Sequence, residues 1–144
     1  MSYARQMLDT YPSQVRGDAA KVDAVNVDAD VLAAAIDALS ACAQACIADV
    51  DADLSEQNLT EMVTCIRLCL DCTDVCTATI AVISRASTYD ANVAKPLLDS
   101  CIAVCKTCGD ECERHARMHE HCRVCAEACR RCERACQDLL DALR

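Results

Sequence analysis

Cysteines recur along this chain at steps of three and four residues, in segments that are otherwise rich in alanine, leucine and charged side chains. The densest segment, residues 101–136, carries nine cysteines in two groups. Residues at these steps lie on one face of an α-helix, where a bundle helix usually carries Leu and Ile. The pattern therefore predicts helices whose buried face is made largely of cysteine.

The first half of the pattern predicts two helices. The first runs from an N-cap at Asp28 or Asp30 to about Asp51, and the second from about Glu56 to Arg85, capped by Asp53 or Ser55. The inward positions of the first are Leu32, Ala35, Leu39, Cys42, Cys46 and Val50. Those of the second are Met62, Cys65, Cys69, Cys72, Cys76, Ile80 and Ile83.

The second half starts after a connector at 86–96, and its helix is expected to begin near Lys95, because Pro96 is suited to a first helical turn. The stripe then stays in phase through residues 115–121 to Leu143. A single helix of that length would span about 70 Å, which is far longer than typical helices. We therefore expect a reversal within 115–121 and an antiparallel up-down-up-down four-helix bundle.

Residues 1–27 contain no cysteine. They predict a short extra helix over 3–11, closed by Pro12, and a polar connector containing Gly17, both outside the core. Residues 28–144 form the cysteine-lined bundle, and the whole chain is expected to be one domain.

Composition agrees with an all-α protein, since there are two Gly, two Pro, three Tyr and no Phe or Trp. The net charge of −9 disfavours nucleic acid as a partner. The N-terminus lacks the features of a secretory signal, and no run approaches the roughly 18 apolar residues of a membrane span. The sequence thus predicts a cytoplasmic protein with no membrane partner.

Fifteen cysteines exceed a tenth of the chain, a density typical of secreted disulfide scaffolds. Here the number is odd, the compartment is expected to be reducing, and the cysteines occupy helix faces. Metal binding by thiolates is therefore the favoured interpretation, and interhelical disulfides in an oxidised sample are the alternative.

Alternating helix directions give the bundle two different ends. One end gathers an apolar plug, defined by Leu32, Leu39, Ile80, Ile83, Leu97, Leu98, Leu139 and Leu143. The other end, which we call the mouth, gathers the soft or borderline metal ligands Met62, His115, Met118, His119 and His121. Metal is expected to enter at the mouth, although Met62 and Met118 are also residues that commonly fill gaps in a core.

The spacing also suggests which metal binds. Successive C-x-x-x-C pairs place Cβ atoms about 5–6 Å apart, a gap that two metal–sulfur bonds of about 2.3 Å bridge in a nearly straight line. Linear coordination and one monovalent cation per thiolate favour Cu(I). The turns that present four cysteines to zinc and the tighter loops of iron–sulfur motifs are absent from the sequence.

The C-x-x-x-C pairs, the segment HCRVCAEACRRCERAC and the His/Met mouth resemble the bacterial copper storage proteins, specifically their cytosolic branch, over about residues 28–143. The resemblance implies storage and detoxification of many Cu(I) ions per chain, with copper entering at the His-bearing end, and a homo-tetramer. Matched onto this chain, it implies as ligands His115, His119, His121, Met62 and Met118 together with Cys42, Cys46, Cys65, Cys69, Cys72, Cys76, Cys101, Cys105, Cys108, Cys112, Cys122, Cys125, Cys129, Cys132 and Cys136.

Two other functions are compatible with a cysteine-rich bundle. One is a thiol-redox or peroxide-scavenging enzyme, which would need exposed cysteines of low pKa. The other is a zinc or cadmium buffer of the metallothionein type. We expect no enzyme, because the chain shows no Ser/His/Asp arrangement and no Gly-rich phosphate loop.

Overall fold

The computed structural model describes residues 2–16, 21–22 and 27–143, so the predicted connector around Gly17 lies outside the described residues. The helices are α1 (Tyr3–Asp9), α2 (Ser13–Arg16), α3 (Ala29–Leu54), α4 (Leu59–Ser84), α5 (Ala91–His115) and α6 (Glu120–Ala142). Two short strands, β1 (Lys21–Val22) and β2 (Val27–Asp28), pair antiparallel, with Lys21 opposite Asp28.

The four long helices form the bundle. Helix α3 packs against α4 and α6, and α5 packs against the same two helices, so each long helix has two neighbours around a common core. Short connections join α3 to α4 and α5 to α6 at one end. The predicted up-down-up-down four-helix bundle is confirmed.

The reversal between α5 and α6 lies where it was predicted. Helix α5 ends at His115 and α6 begins at Glu120. The backbone N–H groups of Met118 and His119 donate to the carbonyl of His115, at 3.1 and 2.9 Å. The turn is therefore closed by backbone hydrogen bonds, without the Gly or Pro that usually marks a turn in sequence.

The start of α3 was predicted correctly, because the side chain of Asp28 accepts hydrogen bonds from the backbone of Asp30 (2.7 Å) and Val31 (3.4 Å). The predicted caps of the next helix were wrong. Asp53 is a buried residue inside α3, and the Ser55 hydroxyl donates to the carbonyl of Asp51. Helix α4 begins after Asn58, which makes no side-chain capping bond.

Helix α5 begins at Ala91, four residues before the predicted start near Lys95. Asp90 caps it by accepting a hydrogen bond from the backbone of Asn92 at 2.8 Å. Pro96 is the sixth residue of the helix. It is tolerated there because it removes only the bond to the carbonyl of the exposed Asn92, which water can satisfy.

Helices α5 and α6 approach closely at Gly109. A Cβ added there would lie 3.3 Å from the Cβ of Cys129 and 3.0 Å from Nη1 of Arg130. The Arg130 guanidinium crosses this gap and pairs with Asp110 (2.6 Å) and Glu113 (2.9 Å) on α5. Gly109 therefore permits the close approach of the two helices.

Helix α1 packs against α3. The expectation that it lies outside the core is wrong for Leu8, which is 3% exposed and belongs to the apolar core. The hydroxyl of Tyr11 donates to the carbonyl of Ser84 at 2.8 Å, so the segment after α1 is also bound to the end of α4.

Among the described helices, α3 is long and apolar enough by length and composition to cross a membrane, with a mean hydropathy of 1.8 in its most apolar window. Core helices pass the same test, and 44% of that window is buried inside the bundle. Two of the positions that α3 buries are Asp49 and Asp53, which indicates a helix packed inside a protein.

Candidate metal centre

The fifteen cysteines come from all four long helices and are all free and buried. Helix α3 provides two, α4 and α5 four each, and α6 five. They lie on the inward faces because their steps of three and four match the helical repeat. The bundle therefore encloses a continuous core of sulfur.

Sulfur atoms from different helices are in contact in this core. The Sγ atom of Cys42 on α3 lies 3.7 Å from that of Cys72 on α4 and 3.8 Å from that of Cys129 on α6. The Sγ atom of Cys69 lies 3.6 Å from that of Cys108 and 3.9 Å from that of Cys125. A metal ion in this core is thus within reach of thiolates from two or three helices.

Several groups of four sulfurs have all their Sγ atoms within 4.8 Å of one another, for example Cys42, Cys46, Cys72 and Cys129. The sequence lacks the turns that present four cysteines to zinc, but four sulfurs nevertheless converge in the folded bundle. Cysteines 87 residues apart, such as Cys42 and Cys129, meet because the helices pack side by side.

Burial in the metal-free core favours neutral thiols, because it acts to raise the pKa of the cysteines. The neighbouring thiol of Cys101, followed by that of Cys132 and by burial, raises the pKa of Cys136. The thiols of Cys108 and Cys125, together with burial, likewise raise the pKa of Cys46. Protonated thiols pack as small hydrophobic groups, so the bundle has a core before any metal binds.

At the mouth, the three predicted histidines are half-buried and each faces a carboxylate. His115 Nε2 lies 3.1 Å from Glu111 Oε1, and His119 Nδ1 lies 3.1 Å from Glu56 Oε1. The rings of His119 and His121 are stacked, with centroids 5.3 Å apart. The turn between α5 and α6 therefore places three imidazoles at one end of the sulfur core.

The two predicted methionines lie in different environments. Met62 is in the first turn of α4 and is buried in the core. Met118 lies in the turn between α5 and α6 and is 81% exposed. Only Met118 is therefore placed to meet a metal ion that arrives from solvent.

Asp49 and Asp53 were not among the predicted site residues. Both are fully buried on α3 and follow Cys42 and Cys46 in the same helical phase. That phase indicates inward positions, whereas Val50 was predicted to be the inward residue. Val50 is only half-buried. The inward face of α3 therefore changes from sulfur to carboxylate as it reaches the mouth.

Asp49 joins the mouth to the sulfur core. Its Oδ1 lies 2.6 Å from Nδ1 of His121, and its Oδ2 accepts contacts from the thiols of Cys65, Cys69 and Cys112 at 3.6, 3.5 and 3.7 Å. Burial raises the pKa of Asp49, although its hydrogen bond to His121 opposes that shift.

Asp53 lies beside Asp49. Burial, followed by the nearby Cys65 and Asp49, raises the pKa of Asp53 to about 8. Burial lowers the pKa of His121, but hydrogen bonds to Glu56 and Asp49 raise it more, so the net shift is upward. The mouth thus combines a half-buried imidazole with two buried acids.

Comparison with known proteins identifies the family. The sequence pattern of the copper storage proteins matches residues 28–141, which are α3 to α6 with β2 at their start. The chain belongs to the copper storage protein family. The resemblance that the cysteine spacing suggested is thereby confirmed.

Solved structures of this family are similar over most of the chain. The copper storage protein Ccsp of Streptomyces lividans, loaded with 10 copper equivalents, is 52% identical, with a TM-score of 0.87 over 97% of this chain and 99% of that one. A structure of the cytosolic copper storage protein of the same organism with five coppers is 57% identical, with a TM-score of 0.78 over 80% of this chain and 96% of that one.

A further relative is the uncharacterized cysteine-rich protein YhjQ of Bacillus subtilis. It is 32% identical over 106 residues, which cover 74% of this chain and 93% of that protein. The similarity thus extends to a second organism.

In this member of the copper storage family, the end opposite the mouth is filled with hydrocarbon. Leu32, Leu39, Ile83, Leu98 and Leu139 are fully buried there. Ile80, Leu97 and Leu143, the other predicted members of the apolar plug, are half-buried. The sulfur core therefore lies between the apolar plug and the polar, histidine-bearing mouth.

Proposed function

We propose that this protein stores and detoxifies Cu(I) in the cytosol, holding many ions per chain on thiolates inside the bundle. The observation that carries the proposal is the set of fifteen free, buried cysteines whose sulfurs make contacts between helices. Family membership supports it, as do the related structures that hold five and 10 coppers.

The electrostatics of the core favour a monovalent soft cation. Ionised thiolates inside a bundle are costly unless their charges are compensated. One Cu(I) for each thiolate, about fifteen in all, leaves the interior close to neutral, whereas zinc on four thiolates leaves a charge of −2 at each site. Thiolate also prefers Cu(I) because both are soft.

The proposed ligands are the fifteen cysteines together with the mouth residues His115, His119, His121, Met62 and Met118. Copper enters at the mouth in this proposal, because the histidines are accessible there and the other end is closed by the apolar plug. The positions of the methionines support different roles: the exposed Met118 makes an early contact with the ion, and the buried Met62 an inner one.

The test of storage is an anaerobic titration of the reduced protein with Cu(I) against a competing chelator. Saturation is expected near or above one equivalent per cysteine, with thiolate-to-copper charge-transfer absorption rising throughout. Saturation at about four equivalents would contradict the proposal.

The test of the mouth uses the rate of copper uptake. His119→Ala should slow loading and leave the final capacity nearly unchanged, because the cysteines hold most of the load. Arg117→Ala in the same exposed turn is the matched control, since Arg has no metal-binding atom. Equal loading rates for the two variants would contradict copper passage past His119.

A zinc or cadmium buffer is the second candidate, and the groups of four converging sulfurs favour it, because tetrahedral zinc takes four thiolates in its structural sites. Competition between Zn(II) and Cu(I) for the reduced protein distinguishes the two functions. Displacement of zinc by one Cu(I) per thiolate supports copper storage, and retention of zinc supports the buffer.

The remaining parts of the proposal concern role and assembly. Family membership supports storage rather than catalysis. We propose a homo-tetramer, supported by apolar side chains that α3 and α4 expose, among them Ile47, Leu54 and Leu70. The net charge of −9 supports a protein that binds neither nucleic acid nor membranes. Light scattering after size-exclusion chromatography tests the tetramer.

A further inference from the structure

Helix α4 carries a second stripe of side chains on the side that faces solvent, which we call the outer stripe. Its residues follow one another at steps of four and three and are all exposed: Val63, Arg67, Leu70, Asp74 and Thr77. The cysteines of α4 occupy the opposite, buried side. Steps of four and three along one side of a helix are the spacing with which two helices pack along each other.

Apolar side chains are exposed on the outer stripe and beside it. Leu70 is 48% exposed and Val63 is 38% exposed. On the neighbouring helix α3, Ile47 is 59% exposed and Leu54 is 55% exposed. We call these four residues the apolar patch. Single exposed apolar side chains are normal, but a contiguous group of them commonly marks an interaction site.

The position of α1 shows that the apolar patch is contiguous. Ser40 on α3 and Ser84 on α4 line the same groove beside α1. Every member of the patch lies seven residues, or a multiple of seven, from Ser40 or Ser84, and seven residues are about two helical turns. The patch therefore lines the continuation of this groove towards the mouth, beyond the part that α1 contacts.

Two opposite charges flank Leu70 on the outer stripe. Arg67 lies three residues before Leu70, and Asp74 lies four residues after it. Arg67 is the one basic residue of α4. Neither Arg67 nor Asp74 forms a hydrogen bond or an ion pair with another described residue of the chain. Both charges are therefore available to a partner.

We propose that α4 binds α4 of a second copy of this chain in antiparallel orientation, about a two-fold axis beside Leu70. Arg67 of each copy then pairs with Asp74 of the partner subunit. Leu70 packs against Leu70 of the partner subunit, and Val63 packs against Thr77 of the partner subunit. The inference rests on the homo-tetramer proposed above and specifies one of its contacts.

The charges select this arrangement over the alternatives. A parallel pairing in register would place Arg67 against Arg67 of the partner subunit, and Asp74 against Asp74 of the partner subunit. An antiparallel pairing shifted by seven residues in either direction would also oppose two like charges. Like charges that face each other across a contact are unfavourable, and such pairs commonly set the orientation of paired helices.

A second copy matches this surface because the two charges are reciprocal. Arg67 and Asp74 lie at nearly equal distances on either side of Leu70, so a copy related by a two-fold axis presents the complementary charge at both places. A two-fold contact uses the same surface on both subunits. Tetramers of dihedral symmetry need two different contacts of this kind, and the α4 contact would be one of them.

Charge reversal is the test, since removal of one exposed ion pair by a neutral substitution changes little. Arg67→Asp and Asp74→Arg each make both pairs of the contact repulsive. Each should raise the dissociation constant at least about tenfold and reduce the mass to half or less at concentrations where the unmodified protein is assembled. Size-exclusion chromatography with light scattering on reduced, copper-free protein measures both quantities, and circular dichroism verifies folding.

Two further samples test whether the charges pair with each other. The double variant Arg67→Asp/Asp74→Arg restores both pairs and should regain the mass of the unmodified protein. An equimolar mixture of the two single variants should also regain it, because one copy then carries two Arg and the other two Asp. Arg131→Asp is the matched control: Arg131 is exposed on α6, diagonally opposite α4, and its reversal should leave the mass unchanged.

The outcomes separate this contact from the assembly itself. If the unmodified protein is assembled and the single reversals leave its mass unchanged, or if the double variant fails to regain that mass, the α4 contact is overturned while the tetramer stands. A monomeric unmodified protein would overturn both. The Cu(I) titration described above is a separate measurement, so failure of copper storage would be recognised independently.

Discussion

Substitution of Gly109 by alanine tests whether the close approach of α5 and α6 limits the stability of the bundle. Alanine in a helix interior gains about 1 kcal/mol over glycine from intrinsic propensity. The new methyl group would lie 3.3 Å from the Cβ of Cys129 and 3.0 Å from the guanidinium of Arg130. Overpacking of this kind typically costs about 1–3 kcal/mol.

The guanidinium can move, but only by weakening its ion pairs with Asp110 and Glu113. Both carboxylates are exposed, so water and salt screen these pairs and they contribute little to stability. The Cβ of Cys129 is fixed to the backbone of α6 and cannot move independently. We therefore expect Gly109→Ala to lower the free energy of unfolding by about 1 kcal/mol, and the melting temperature by about 3 °C.

The assay is chemical and thermal denaturation of the reduced, metal-free protein, followed by circular dichroism. Ala103→Gly, at an exposed position of the same helix, calibrates the propensity difference. Combining Gly109→Ala with Arg130→Ala in a double-mutant cycle separates the crowding of Arg130 from that of Cys129. If Gly109→Ala stabilised the protein by the full propensity gain, close helix approach would not constrain this position.

Three further predictions concern protons and single hydrogen bonds. Copper loading at pH 7 should release about one proton per Cu(I), because the resting thiols are protonated. Titration with a pH indicator in weak buffer measures the released protons. A release far below one proton per Cu(I) would contradict a neutral resting core. Burial raises the pKa of Tyr89, so its neutral form is favoured in the folded state and stability should fall as pH rises past the ordinary tyrosine range of about 10. Tyr89→Phe should remove that fall in stability at high pH. At pH 7 it should also lower the free energy of unfolding by about 1 kcal/mol, because the hydrogen bond to the carbonyl of Ile83 is lost. Tyr3→Phe, at an exposed position, should have neither effect. Asp28→Ala should cost about 1 kcal/mol of unfolding free energy through loss of the α3 cap. Asp74→Ala, at an exposed position inside α4, should not destabilise the protein, and equal denaturation midpoints for these two aspartate variants would contradict the capping role.

Most of the fold followed from the period of the cysteines. Steps of three and four residues predicted helices with sulfur on the buried face, and all fifteen cysteines are buried. The turn after His115 was predicted from helix length and from the His, Arg and Met residues that replace stronger helix formers at 115–121, since the stripe stays in phase through it. Backbone hydrogen bonds to the carbonyl of His115 close the turn, and no residue type in the turn predicts these bonds.

The parts that sequence did not predict depend on contacts between distant residues. Asp49 meets His121 from 72 positions away, so no local pattern predicts this pair, although the helical phase of Asp49 after Cys42 and Cys46 indicates an inward position. No local pattern predicts which sulfurs converge from three helices. The start of α5 was misplaced because Pro96 was assumed to need the first helical turn. Pro96 lies in the second turn instead, where the exposed carbonyl of Asn92 tolerates the loss of its hydrogen bond.

The apolar plug also determines the order in which the store is used. A core closed at one end by Leu32, Leu39 and Leu139 has a single opening under the proposed passage through the mouth. An ion held deep in the core can leave only past sites nearer the mouth. The bundle would then behave as a stack, in which the copper received last is the copper that a withdrawing partner reaches first.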